Sequence, residues 1–205
     1  MLKDAVRVAT DYVAVMMADP GQARYTRAWL HSRKRSTLDL RVPWVPFRVI
    51  AAMEEHISKR SKVAEFGGGG STLWFSDRVE EVVTVEHDLE WYPVLEQKVR
   101  DIPNSTLLYR SADSGYADYV NALSNFSDSY FDVIVVDGRE RVRCFESAIP
   151  KLKPGGLLIL DNSDRPRYAS VFDLTEWSYV TYCGLTPTQT LLGQSTIWTK
   201  SPVVA

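Results

Sequence analysis

The chain has 205 residues, 45% of them hydrophobic and 24% charged, with a formal net charge of −2. That length suits one domain with a small extension, and that balance suits a soluble globular protein. There is no overall positive field to gather nucleic acid, and two cysteines, Cys144 and Cys183, without CxxC spacing make neither a disulfide framework nor a zinc site.

The first predicted element is a helix over residues 2–18, with apolar residues Leu2, Val6, Ala9, Val13 and Met16 or Met17 at helical spacing. Asp19-Pro20-Gly21 stops it. The apolar stretch Tyr12 to Ala18 is too short to span a membrane and too late for a signal peptide, so a reducing cytoplasm is the expected compartment. Residues 22–42 read as irregular and basic, with the run Arg33-Lys34-Arg35, and a helix is expected over 46–58.

From Lys62 the pattern alternates. Strands are expected at 62–66, 81–85, 105–109, 131–136 and 157–160, with helices at 71–78, 91–100, 115–122 and 141–152 between them. This is the pattern of a parallel, doubly wound α/β sheet. Val180 to Gly184 and Ser195 to Lys200 read as two strands with no helix between them, an antiparallel pair added to the sheet. Residues 1–60 are thus expected to form a helical extension and 61–205 the main domain.

The first strand runs into Glu65-Phe66-Gly67-Gly68-Gly69-Gly70-Ser71. Glycines permit positive φ and close approach of a ligand to the backbone. The dinucleotide fingerprint G-x-G-x-x-G/A fails here, because its sixth position falls on Thr72 or Leu73. The pattern E/D-x-G-x-G-x-G fits through Glu65, Gly67 and Gly69, with Ser71 in the place of the last glycine. Glu86 ends the second strand, 21 residues after Glu65, where a carboxylate can accept both ribose hydroxyls of a nucleoside. A solvated charge at a strand end is the alternative.

Four blocks in order, VAEFGGGGSTLW, VVTVEHD, FDVIVVDG and KPGGLLILDN, followed by YVTYCG and STIWTK, resemble the class I S-adenosylmethionine-dependent methyltransferases from about Lys62 to Lys200. The resemblance implies a Rossmann-like, seven-stranded sheet with the last strand antiparallel. It implies that Glu65, Gly67, Gly69 and Ser71 face the methionine part of the cofactor and that Glu86 holds the ribose. His87 would flank the adenine, or be an ordinary packing histidine. Ala112 and Asp113 would border the adenine edge, with N-capping as an equal account of Asp113. Asp137 would face the sulfonium and the acceptor.

Asp137, Asp161 and Asn162 end neighbouring strands. They resemble the D…DN ligand set of metal-dependent O-methyltransferases, in which Mg²⁺ binds the acceptor hydroxyl and lowers its pKa. The competing account is a metal-free acid after the fourth strand and an Asp-Asn turn. The catechol type has lysine where this chain has Glu140, and some sugar enzymes have aspartate where it has Arg139, so Glu140 and Asp164 are the candidate bases.

On the acceptor side, Arg165, Arg167 and Tyr168 can hydrogen-bond a polyol, and Tyr25, Trp29 and Trp44 can form a stacking wall, unless they simply pack the core. The run from Glu65 to Trp74, with Val85 to Asp88 and Trp91-Tyr92, is also similar to small bacterial methyltransferases of polysaccharide assembly, the mycobacterial methylmannose polysaccharide O-methyltransferases among them. A carbohydrate hydroxyl is the acceptor this implies, with no nucleic acid or membrane partner, and a homodimer is compatible with an enzyme this small. The alternatives are metal-independent methylation of another small molecule or an amine, a nucleic-acid methyltransferase, and a non-catalytic cofactor-binding protein.

Overall fold

The computed structural model describes residues 2–190 and 192–202. The alternating segment forms a seven-stranded sheet: β1 (Lys62–Phe66), β2 (Glu81–Glu86), β3 (Ser105–Tyr109), β4 (Phe131–Val136), β5 (Leu152–Asp161), β6 (Ser178–Gly184) and β7 (Gly193–Thr199). Their order is β3-β2-β1-β4-β5-β7-β6, with β7 antiparallel to both of its neighbours and the remaining pairs parallel. The buried strands are runs of β-branched residues such as EVVTVE and FDVIVV, which suit a sheet covered on both faces.

Helices follow from the breaks between those runs: α1 (Leu2–Ala18), α2 (Thr26–Ser32), α3 (Thr37–Leu40), α4 (Phe47–His56), α5 (Gly70–Ser76), α6 (Trp91–Val99), α7 (Asp113–Val120) and α8 (Arg141–Ala148). On one face of the sheet Val49 and Met53 of α4 and Trp74 and Phe75 of α5 pack on Val63, Val133 and Ile159. On the other, Tyr119 of α7 and Phe145 of α8 pack on Phe66, Ile134 and Trp198.

Four readings of the sequence need correction. Residues 22–42 are not irregular: a 3-10 turn (Pro20–Tyr25), α2 and α3 occupy most of them, with the Ser36 hydroxyl capping Asp39 N at 3.0 Å. Several residues placed on the apolar face of α1, Val6, Val13 and Met17, are exposed; the helix packs instead through Val15 and through Tyr12 stacked on Trp29. α8 stops at Ala148, and β5 begins at Leu152, five residues before its expected start, because the Lys153-Pro154-Gly155-Gly156 segment stays in the strand through an irregularity against β4. Gly155 takes φ +79°, which permits that irregularity. The helix expected at 115–122 starts at Asp113 and carries Ser114, Gly115 and Tyr116 in the left-handed region.

The N-terminal segments are tied to the β6–β7 connection. Gln22 Nε2 donates to Cys183 O at 2.9 Å while its Oε1 accepts from Leu185 N at 3.1 Å. Ser32 Oγ accepts from Thr188 N at 2.9 Å, and Trp29 Nε1 donates to Gln189 O at 2.8 Å. Asp19 receives both Nε and Nη2 of Arg48, at 2.9 and 2.6 Å. These bonds set Gln189, Thr37 and Trp44 over the carboxyl end of the sheet, where all three line one cleft. Among the described residues no helix is long and apolar enough to cross a membrane.

Candidate active site

In an open α/β sheet the ligand crevice lies beyond the carboxyl ends of the strands where the strand order reverses. Here that point is between β1 and β4, and a cavity of about 510 Å³ opens there. Register explains its contents. Phe66 lies beside Val85 and Val136, so the next residues of the three strands, Gly67, Glu86 and Asp137, come out at one level.

The four glycines do different work. Gly67 has φ +90°, and a Cβ there would sit 3.0 Å from Gly138 Cα. A Cβ on Gly68 would overlap Leu95 and Thr84, and one on Gly70 would overlap the carbonyl oxygens of Thr37 and Val42. Gly69 has nothing within 4 Å of its added Cβ and lines the cleft. Gly70→Ala is therefore expected to destabilise the protein by about 1–3 kcal/mol through overpacking. Gly69→Ala is expected to leave the melting temperature unchanged and weaken S-adenosylhomocysteine binding, read by calorimetry. Equal affinity in that variant would remove Gly69 from the cofactor cradle.

Glu86 is only 3% exposed. Its Oε2 accepts from Gly68 N at 3.1 Å, and its Oε1 accepts from His87 N at 2.7 Å and Asp88 N at 2.9 Å. One carboxylate thus shapes both the glycine turn and the β2–α6 connection, while the residue lines the cavity. His87 Nδ1 lies 3.1 Å from Glu86 Oε1 but is not aimed to hydrogen-bond it, and the ring packs edge-on against Tyr119. Trp91 donates from Nε1 to Gly68 O at 2.8 Å and lines the same wall.

Glu65 does not line the cleft. It is buried beneath the turn, where Oε1 accepts from Thr72 Oγ1 and, at 2.7 Å, from Thr84 Oγ1, while Oε2 has no partner. Burial pushes its carboxyl up, and the surrounding hydroxyls pull it back. Ala112 and Asp113 lie outside the cleft as well. Asp113 Oδ2 accepts from the Ser111 hydroxyl at 2.6 Å, and Asp113 is the first helical residue, not the cap.

The acidic end of the cleft is organised by Arg141, which is 7% exposed. Its Nη2 donates to Asp137 O at 2.7 Å and to Asp137 Oδ1 at 2.8 Å. Its Nη1 donates to Asp161 O and, at 3.3 Å, to Asp161 Oδ2; its Nε donates to Gly138 O at 3.0 Å. Ser195 Oγ donates to Asp161 Oδ1 at 2.8 Å. The expected dication between Asp137, Asp161 and Asn162 does not fit this arrangement. A guanidinium already stands between the two carboxylates and engages one oxygen of each. Among the described residues no group of three His, Cys, Asp or Glu side chains could hold a metal ion.

Asp137 keeps 30% of its side chain open to the cleft, a recessed but not sealed position. That recess and the neighbouring Asp161 carboxylate push its carboxyl well above the carboxylate range, against the pull of Arg141. Neither candidate base lines this cavity. Glu140, in the left-handed region with φ +48°, points to Arg143 at 3.3 Å, and Asp164 is exposed. Asn162, Arg165, Arg167, Tyr168 and a half-exposed Trp44 do line it. Tyr25 and Trp29 do not; Tyr25 stacks on Phe47 at 5.3 Å and Trp29 on Tyr12 at 6.0 Å.

Reading the sequence missed Arg139, Arg141, Trp91 and Gly138 as cleft residues. The signal for Arg141 was its place four residues after Asp137, the helical ion-pair spacing. Gly138 left only a weak signal, since a Cβ there would strike the Tyr119 hydroxyl from a distant helix.

This strand order, with its crevice at the switch point, is a Rossmann-like α/β fold of the methyltransferase type. Residues 64–163 match the family model described as a methyltransferase domain, the stretch from within β1 through the glycine turn, β2, β3 and β4 to just past the end of β5. No curated protein matches the chain by sequence. Among solved structures the chain is similar to an rRNA methylase from Streptococcus thermophilus, with TM-score 0.58, 13% identity and coverage of 76% of this chain and 97% of that one. It is similar to a protein from Streptococcus mutans solved in complex with SAH, with TM-score 0.56, 12% identity and coverage of 75% and 97%. A third is a precorrin 8w decarboxylase from Methanobacterium thermoautotrophicum, with TM-score 0.55, 21% identity and coverage of 75% and 88%. At such identities these similarities concern the fold.

Proposed function

We propose that the chain transfers a methyl group from S-adenosylmethionine to a hydroxyl of a polar, carbohydrate-like small molecule, with no metal ion taking part. The observation that carries this reading is the co-location of the open glycine turn, Glu86 and Asp137 in one recess of about 510 Å³, a volume suited to a small-molecule site. The residues present fit the cofactor. Gly67 to Gly69 leave room for a ligand against the backbone, and Glu86 sits where ribose hydroxyls would donate. When bound, the cofactor supplies a methyl group made electrophilic by its sulfonium.

Asp137 is the residue that handles the acceptor's proton. Its Oδ1 is tied to Arg141, and its side chain stays partly open to the cleft, where it can accept from a hydroxyl. Burial and the neighbouring Asp161 carboxylate raise its carboxyl, which makes its ionised form a stronger base than an ordinary carboxylate. The acceptor oxygen would take the methyl group that the bound cofactor supplies, and the hydroxyl proton would pass to Asp137. Arg141 holds that carboxylate in place between β4 and β5. Residues 1–60 serve as the cap on the acceptor side, through Thr37 and Trp44.

Two measurements test this. Asp137→Asn is expected to lower the turnover rate about 10²–10⁴-fold, the usual share of a general base, with S-adenosylhomocysteine affinity nearly unchanged. Activity is expected to survive chelation with EDTA, and added Mg²⁺ is expected to give no thermal stabilisation. Full activity in Asp137→Asn would remove the base assignment; loss of activity on chelation, restored by Mg²⁺, would remove the metal-free reading.

A further inference from the structure

Three arginines line the acceptor end of the cleft without a salt bridge of their own among the described residues. Arg139 follows β4, and Arg165 and Arg167 stand in the loop after β5; all three are exposed on the cavity that contains the glycine turn. Among the described residues none of them pairs with a carboxylate, whereas Arg141 and Arg143 beside them do. The acids of the same cavity are already engaged. Glu86 accepts from three backbone N–H groups, Asp88 accepts from Glu90 N at 2.8 Å and Trp91 N at 3.0 Å, and Asp137 and Asp161 share Arg141. The carboxylates of the cleft are therefore tied by backbone N–H groups and Arg141, while the three arginines keep their donors open at the acceptor end.

Arg167 is also held in advance, its guanidinium carbon 4.9 Å from the centroid of the buried Tyr168 ring. A guanidinium fixed on an aromatic face has less freedom to lose on binding. Planar guanidinium forks match the oxygens of a phosphoryl group, and several like charges around one recess repel one another until an anion answers them.

Resting on the methyltransferase reading above, we infer that the acceptor is a small phosphorylated molecule whose phosphoryl group is held by Arg139, Arg165 and Arg167 while its hydroxyl is presented to Asp137. A small molecule suits the site better than a polynucleotide, since the arginines line one recess of about 510 Å³ and the chain carries a net charge of −2.

The test is calorimetric titration of inorganic pyrophosphate into protein already saturated with S-adenosylhomocysteine, so that the cofactor's own carboxylate site is filled. Pyrophosphate is expected to bind, more weakly as salt rises. Arg165→Ala and Arg167→Ala are each expected to weaken it about ten- to hundredfold, the value of a charge-assisted bond. Arg165→Lys is expected to recover part of the loss, and all variants should keep wild-type S-adenosylhomocysteine affinity. If S-adenosylhomocysteine binds but pyrophosphate does not, or binds the variants equally, the phosphoryl assignment falls and the methyltransferase reading stays. If S-adenosylhomocysteine itself does not bind, both fall. If a short single-stranded RNA binds far more tightly than pyrophosphate through the same arginines, they serve a polynucleotide and the small-molecule assignment is overturned.

Discussion

Glu86→Ala is expected to reduce S-adenosylhomocysteine affinity at least about a hundredfold, measured by calorimetry. Two charge-assisted bonds to a ribose would each contribute about 1.5–3 kcal/mol, and tenfold in affinity corresponds to about 1.4 kcal/mol. The substitution also removes the acceptor for Gly68 N, His87 N and Asp88 N. Those groups lie at the base of the cleft, so the turn that receives the cofactor loses its anchor together with the ribose contact. Glu86→Gln retains one carbonyl oxygen and is expected to fall between the two. Alanine affinity within about threefold of the wild type, less than one neutral hydrogen bond is worth, would show that the carboxylate only organises the loop.

Arg141→Leu is expected to lower stability by about 3–5 kcal/mol, the cost of removing one partner of a buried ionic arrangement. For a chain of this length that corresponds to a melting temperature lower by about 6–20 °C, measured by scanning calorimetry. The loss has a stated origin. All the guanidinium's donors are taken, by Gly138 O, by both oxygens of Asp137 named above and by both of Asp161, and its removal leaves two neighbouring carboxylates without a counter-charge. Adding Asp161→Asn to Arg141→Leu is therefore expected to recover part of the stability, because one of the stranded charges is then removed. A single variant as stable as the wild type would mean that the clamp contributes nothing net. Asp161→Ala by itself is expected to be costly too, since both Arg141 and Ser195 lose an acceptor.

The strand pattern was legible because burial on both faces demands continuous β-branched runs, and helices must cover them. VAEF, EVVTV and FDVIVV announce themselves in that way. The glycine turn and the acid beside it were legible for a related reason. Gly67 must adopt a positive φ, and Glu86 must end the neighbouring strand; both are local consequences of one strand–turn–helix unit. The reading of α1 turned the wrong residues inward, because burial was decided by where Tyr12 meets Trp29 and where Val15 is covered. Local pattern could not place Arg141, which stands between Asp137 and Asp161 in the space that the metal reading gave to a dication.

The sequence by itself determined the fold class, the position of the glycine turn and the acid that faces it across one strand, because each is encoded within a few consecutive residues. Only the tertiary structure decided what lies between the ends of β4 and β5. A dication and a guanidinium both satisfy two carboxylates, and which one does so depends on the direction of a side chain from the first turn of α8. The same holds for the acceptor end, where arginines from two separate loops meet around one recess and their shared charge appears only once the chain is folded.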